Sequence, residues 1–381
     1  MSINRLNKLA IAAIALLAPF SNAQAQTDKP WIIGEVAPLT GPAATVGLRL
    51  NKAAKMWVDE VNANGGINGR KIDHRVCNDE NRPEKAVACT REFIDQGAVI
   101  IFANALTASL RAMLPLVRTG PTMLIPSPNL VPNADTYAFQ VSPTDEDITV
   151  AIANYAKASG IKKIGMLAAT DTSGEVGVLN ASKIFPAEKL ELKLARIDLR
   201  ATDATMQLAS VAGDDVGLVY SSYSGAGAIT VVKSFQNLGL KQPLLVSYAN
   251  ISDSFVQLVK DVKPARLLGA AMAGIVPETL KDLGERARAK AFIEAYTKKY
   301  SETADMINVS GKVETDVADA ILRKTPNPTD FPAVKKWLET NVIESVQNQK
   351  FSPTYHVGVA ASSVVIVELK NNTWVPADPA K

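Results

Sequence analysis

The stretch Trp31-Ile32-Ile33-Gly34-Glu35-Val36-Ala37, followed by Pro38-Leu39-Thr40-Gly41-Pro42, sets the pattern for the chain. Its near-continuous apolar run has the length and character of a strand buried on both faces. Beyond it, Leu50, Ala53, Ala54, Trp57, Val58 and Val61 recur at helical spacing. Gly65-Gly66 ends that helix, and Asn68-Gly69 turns the chain into a second strand at 71–77. Strand, helix and strand in this order build a parallel sheet with helices on both faces.

The same rhythm carries on. Pro83 opens the next helix at a first-turn position, where its missing N–H costs nothing, and Val87, Phe93 and Ile94 supply a buried stripe. Strands are expected at 99–103 and 122–125, with a helix over 107–117 between them. The pattern restarts after Val141 with a helix at 146–158 and a strand at 163–168. Strands at 190–197, 216–220 and 244–246 then alternate with helices near 176–185, 206–211 and 226–237. A strand at 267–273, helices at 281–300, 313–322 and 331–340, and a last strand at 362–369 complete the chain. This predicts an α/β protein of two doubly wound lobes, with a cleft between them as the place for a small ligand.

Composition agrees and narrows the function. The chain has 381 residues, 47% apolar and 21% charged, which excludes disorder and collagen. Its 41 basic and 38 acidic residues, a formal charge of +3, leave no electrostatic footprint for nucleic acid. Arg5 and Lys8, the apolar run 9–20 and Ala23-Gln24-Ala25 predict a secretory signal over 1–25. No Cys at the cleavage point supports a lipid anchor, and no later stretch is apolar enough to span a bilayer. The expected location is an oxidising extracytoplasmic space. There Cys77 and Cys89 face two readings: a disulfide across a strand–helix corner, stabilising by roughly 2–3 kcal/mol, or two separate buried thiols. With His74 and His356 the only histidines, no metal site is expected.

Residues just after the strands are the ligand candidates. In the first unit these are 40–46, 104–109 and 127–130. Thr107 and Ser109 open a helix whose free N–H groups favour an anion; on spacing alone Thr107 reads first as a plain helix cap, a very common feature. In the second unit Asp171-Thr172-Ser173-Gly174, Ser221-Ser222-Tyr223-Ser224 and Tyr248-Ala249-Asn250 occupy matching positions, or are ordinary polar loops. Gly225-Ala226-Gly227 lacks the third glycine of a dinucleotide fingerprint, so no nucleotide cofactor is expected. Walker, Gly-x-Ser-x-Gly and HExxH patterns do not occur. His74 falls within a strand and Asp214-Asp215 in a turn, so nothing calls for catalysis.

Several stretches resemble one family. Gly34-Glu35-Val36-Ala37-Pro38-Leu39-Thr40-Gly41 with Val46-Gly47, then 61–70 (Val-Asn-Ala-Asn-Gly-Gly-Ile-Asn-Gly-Arg), is similar to the amino-terminal signature of periplasmic solute-binding proteins of the leucine/isoleucine/valine type. Asn237-Leu238-Gly239-Leu240, Phe351-Ser352-Pro353, His356, Gly358 and Trp374 add to the resemblance.

The resemblance implies a type I periplasmic-binding fold, two α/β lobes joined by three crossings near Ser142, Met272 and Lys350. The lobes would comprise 26–142 plus 273–349 and 143–272 plus 350–381. Such a protein closes on a small solute and hands it to an ABC permease, as a monomer without cofactor or chemistry of its own. By position, the first lobe would hold a ligand carboxylate through Leu106, Thr107, Ala108 and Asn129, with Val46 alongside. Ser173, Tyr223 and Tyr248 would come from the closing lobe. Amino-acid binders of this type place an acid near the position of Tyr248 to pair the ligand ammonium, whose unpaired burial is costly. Here the loop is Ser247-Tyr248-Ala249-Asn250, and only Asp171 and Glu35 lie near other candidate loops. An aromatic acid is therefore the favoured ligand and an aliphatic amino acid the alternative. A periplasmic hydrolase or dehydrogenase, or a ligand sensor for a membrane receptor, are the readings of another class.

Overall fold

Alternation of buried strands and amphipathic helices gives two sheets in the computed structural model, which describes residues 29–41 and 43–379. The expected leader over 1–25 lies outside the described residues. In the first lobe, β1 (Trp31–Ala37), α1 (Ala44–Ala63), β2 (Ile72–Asn78), α2 (Pro83–Asp95), β3 (Ile100–Phe102), α3 (Thr107–Met113), β4 (Thr122–Ile125) and β5 (Ala138–Gln140) follow in turn. The strands form one all-parallel sheet in the order β2-β1-β3-β4-β5. Ile33, Ile100, Ile101, Phe102, Leu124 and Phe139 fill its interior.

Helix α1 buries the expected stripe of Leu50, Ala53, Ala54, Trp57, Val58 and Val61 but starts well before it. Gly47 permits this: a Cβ there would lie 2.3 Å from the Pro38 carbonyl oxygen. At Gly66, φ is +86° and a Cβ would meet the Arg70 carbonyl oxygen at 2.2 Å, so the turn into β2 requires glycine.

The second lobe contains α4 (Asp145–Ala158), β6 (Lys163–Ala169), α5 (Thr172–Ala187), β7 (Glu191–Ile197), α6 (Thr205–Val211), β8 (Leu218–Ser222), α7 (Ala226–Asn237), β9 (Leu244–Val246), α8 (Asp253–Val259) and β10 (Leu267–Met272). The chain then adds α9 (Leu283–Tyr300), α10 (Met306–Lys324) and α11 (Phe331–Thr340) to the first lobe. There α10 lies against α1, with Asn308 Nδ2 donating to the Arg49 carbonyl (3.0 Å). A small ladder of β11 (Val342–Ile343) and β12 (Gln349–Lys350) precedes β13 (Val364–Lys370) and β14 (Thr373–Pro376). The second sheet has the order β14-β13-β10-β9-β8-β6-β7. Its β13 is antiparallel to β10 because the chain re-enters opposite Met272, the end where β10 leaves.

Three passages join the lobes. The first follows Gln140, whose side-chain amide donates to the carbonyls of Ser142 (3.1 Å) and Pro143 (3.2 Å). The second follows Met272. The third was expected near Lys350, but Gln140 N donates to His356 O (2.8 Å), Gly358 N to Gln140 O (2.9 Å) and Lys350 N to Gly358 O (2.8 Å). Residues 350–358 are thereby held on the first lobe, and the third passage lies between Gly358 and Val364.

Candidate functional site

The carboxyl ends of both sheets meet between the lobes. Asp145 N, at the head of α4, donates to the Pro128 carbonyl just beyond β4 (2.9 Å), and Met306 N at the head of α10 reaches the Ile251 carbonyl (3.4 Å). Helices α3 and α5 also touch across this seam.

On the first-lobe side, Asp79 organises the strand ends. It is fully buried and accepts from Asn104 Nδ2 (2.5 Å) and Ser109 Oγ (2.9 Å). Ser109 is thus committed to tying α3 to the end of β2. Thr107 is buried as the first residue of α3 and is not its cap, since Leu106 holds that position without a side-chain hydrogen bond. The Leu106 N–H donates to Asn104 Oδ1 (2.7 Å), Ala108 is exposed, and Val46 is half-buried against the main core. Ser127, beyond β4, is fully buried with a hydroxyl that has no hydrogen-bond partner.

The second-lobe candidates divide. Tyr248 is buried at 6% exposure, and its hydroxyl lacks a well-formed hydrogen bond. It lies beside Ser310 of α10, whose own hydroxyl is directed at Met272 Sδ (3.3 Å). Burial pushes the Tyr248 hydroxyl above its ordinary value. Ser173 Oγ donates to Asp171 Oδ1 (2.8 Å), and Asp171 caps α5 by accepting from Gly174 N (2.9 Å). Tyr223 ties its hydroxyl to the loop after β7. It is 1% exposed and donates to the Leu199 carbonyl (2.6 Å), with its ring packed where a Cβ on Gly227 would sit.

Asn129 belongs to a hollow of about 190 Å³ between the lobes, shared with Pro128, Thr144, Asp145, Asn180 and Tyr355 among others. Asp145 is buried and accepts from Asn180 Nδ2 (2.8 Å); burial pushes its carboxyl above the ordinary range, and Asn180 opposes that. The apolar spacing starts this helix at Glu146 and leaves Asp145, its first residue in the structure, outside. The missed signal is a capping box, in which Thr144 Oγ1 accepts from Asp147 N (3.0 Å) and Asp147 Oδ2 accepts from Thr144 N (2.9 Å). Tyr355 and Ser310 had no local signal, because distant segments bring them in.

Of the acids weighed from sequence, both have other partners. Asp171 is a cap, and Glu35 is buried with Asn51 Nδ2 at 2.8 Å and His74 Nε2 at 2.8 Å. A separate hollow of about 280 Å³ between α1 and α10 is lined by two ion pairs, Lys312 with Asp316 and Arg323 with Asp319 (2.7 Å), and by Glu60. Cys77 and Cys89 form a disulfide, with Cα atoms 5.9 Å apart. Among the described residues no helix is long and apolar enough to cross a membrane.

Two α/β lobes, three passages between them and polar strand ends meeting at the seam define the type I periplasmic-binding fold. Over residues 30–373 the chain matches the periplasmic binding protein family, and it belongs to that family. A Leu/Ile/Val-binding protein of Rhizobium johnstonii is 32% identical over 97 residues, 26% of this chain and 24% of that relative; the match thus spans about a quarter of the relative's length. An extracellular ligand-binding receptor of Rhodopseudomonas palustris HaA2 superposes with a TM-score of 0.80 at 18% identity, covering 92% of this chain and 100% of that one. A solute-binding protein of an R. palustris ABC transporter, solved in complex with benzoate, gives a TM-score of 0.75 at 20% identity over 91% and 95% of the two chains. At these identities the two structures share the fold with this chain.

Proposed function

We propose that this chain is a periplasmic solute-binding protein of an ABC importer. It captures one small carboxylate-bearing solute, an aromatic acid by preference, at the seam between its lobes, and has no catalytic step of its own. The observation that carries this reading is a buried hydroxyl at the strand ends of each lobe, Ser127 without a hydrogen-bond partner in one and Tyr248 without a well-formed hydrogen bond in the other. A buried polar group left unsatisfied costs about 1–3 kcal/mol, and a carboxylate accepting from both would relieve that cost. Thr107, Leu106, Ala108, Val46 and Asn129 would complete the first-lobe side, and Ser173 the second. The lobes comprise 26–142 plus 273 onward to the third passage, and 143–272 plus the carboxy-terminal strands. Closure would follow from contacts made to the solute by both lobes at once, and an inner-membrane permease would receive the closed monomer.

The benzoate-bound neighbour supports the aromatic-acid preference, as does the occupation of Asp171 and Glu35 by other partners. A second reading, an aliphatic amino acid, is favoured by Asp145, a buried acid lining the interlobe hollow where a ligand ammonium could pair. A thermal-melt screen separates the two. Ligand at about 100 times its dissociation constant adds roughly 2.7 kcal/mol, a rise of several degrees. A rise with benzoate-like acids and none with leucine or valine is expected. The reverse pattern assigns Asp145 the ammonium and overturns the aromatic preference.

A further inference from the structure

Beside the Tyr248 loop, the seam carries a polar contact that needs no solute. Asp253, the first residue of α8 in the second lobe, accepts through Oδ2 from the backbone N–H of Thr303 (3.2 Å), in the turn between α9 and α10 of the first lobe. That turn is itself fixed to α1. Lys52 Nζ lies 2.6 Å from Glu302 Oε1, Tyr296 donates its hydroxyl to the same oxygen (2.6 Å), and Arg49 pairs with Asp305. Asp305 in turn caps α10 by accepting from Ile307 N (2.9 Å) and Asn308 N (3.1 Å). Asp253 is thus the acid that the second lobe sets against an anchored cluster of the first. Burial raises its carboxyl, while the Arg49 guanidinium lowers it and Glu302 raises it. The adjacent Met306 N to Ile251 O bond (3.4 Å) continues the same seam.

We propose that Asp253 is a positioning residue for lobe closure: held by the Thr303 N–H and faced by Arg49, its carboxylate shifts the equilibrium between joined and separated lobes toward the joined state. A contact present in only one of two states biases that equilibrium by its own free energy, whatever else binds. The proposal rests on the two-lobe closing mechanism but not on the solute's identity.

The test uses the protein without added solute. Both native cysteines are bonded, so spin labels on cysteines introduced at the exposed Thr119 and Leu179, one on each lobe, report the interlobe distance cleanly. Asp253→Ala removes the acceptor and the charge, and Asp253→Asn keeps an acceptor oxygen while removing the charge. The ratio of separated to joined populations is expected to rise about fivefold in D253A and about twofold in D253N, with melting temperatures close to native. Coincident distance distributions in native protein and both variants overturn the proposal; if D253A does not fold, D253N alone decides. Failure to find any solute would count against the proposed function and leave this result standing, whereas coincident distributions would leave solute binding untouched.

Discussion

Two tyrosines at comparable positions after neighbouring strands have opposite fates. Tyr223 donates to the Leu199 carbonyl inside the second lobe, while Tyr248 keeps a buried hydroxyl without a well-formed bond at the seam. Tyr223→Phe should therefore cost about 1 kcal/mol of stability and leave solute affinity unchanged. Tyr248→Phe should leave the melting temperature near native and weaken carboxylate binding about tenfold, read by titration calorimetry. A loss of affinity in Tyr223→Phe matching that in Tyr248→Phe would show that the assignment is wrong. Sequence alone placed both residues at strand ends, and it had no means of telling which way each ring turns. That choice depends on Gly227, whose missing Cβ makes room for the Tyr223 ring, and on Ser310, which arrives from a helix sixty-odd positions further along.

Glu314 poses a different residue-scale question. It is buried on α10 with Oε1 unpartnered, and burial, then the nearby Glu35, push its carboxyl well above the ordinary range. An acid whose folded pKa is raised holds its proton more tightly when folded, so stability falls as pH rises from the ordinary carboxylate value through the raised folded one. Glu314→Gln should remove that fall. Melting temperatures measured from pH 4 to 8 should converge with native at the acid end and exceed it at the neutral end; parallel curves would contradict the account.

At the scale of elements, the pairing of α1 with α10 holds the first lobe together. A Cβ on Gly311 of α10 would lie 2.8 Å from Ala53 Cβ of α1, so the two helices approach as closely as glycine allows. Gly311→Val should force them apart and cost about 1–3 kcal/mol, seen as a lower denaturation midpoint with an unchanged slope. An unchanged midpoint would mean that the helices are not held at this spacing. The strand–helix alternation was legible because buried strands are continuous apolar runs and α1 carries its apolar stripe openly. Three elements were not legible: the three-residue β5, and α8 and the first turns of α10, which are announced only by the caps Ser252 and Asp305. The third passage was misplaced for a related reason. Residues 350–358 are tied to Gln140 by backbone bonds that leave no mark in side-chain pattern.

Across the whole molecule, the arrangement that matters is two rigid sheets whose carboxyl ends meet, with polar groups drawn from both. The candidate site was partly legible because strand ends can be read from sequence. The seam's remaining members could not be read: Asp145 heads α4, Tyr355 lies in the segment 350–358 held on the first lobe, and Ser310 sits in the second turn of α10, so distant parts of the chain supply them. Solute capture between the lobes is the central claim, and titration calorimetry of the purified chain with benzoate and substituted benzoates tests it most directly. The account predicts saturable binding of one solute per chain, weakened at least about tenfold by Thr107→Ala and by Tyr248→Ala without loss of the fold. Binding that survives both substitutions unchanged, or no saturable binding by any carboxylate or amino acid tried, would contradict it.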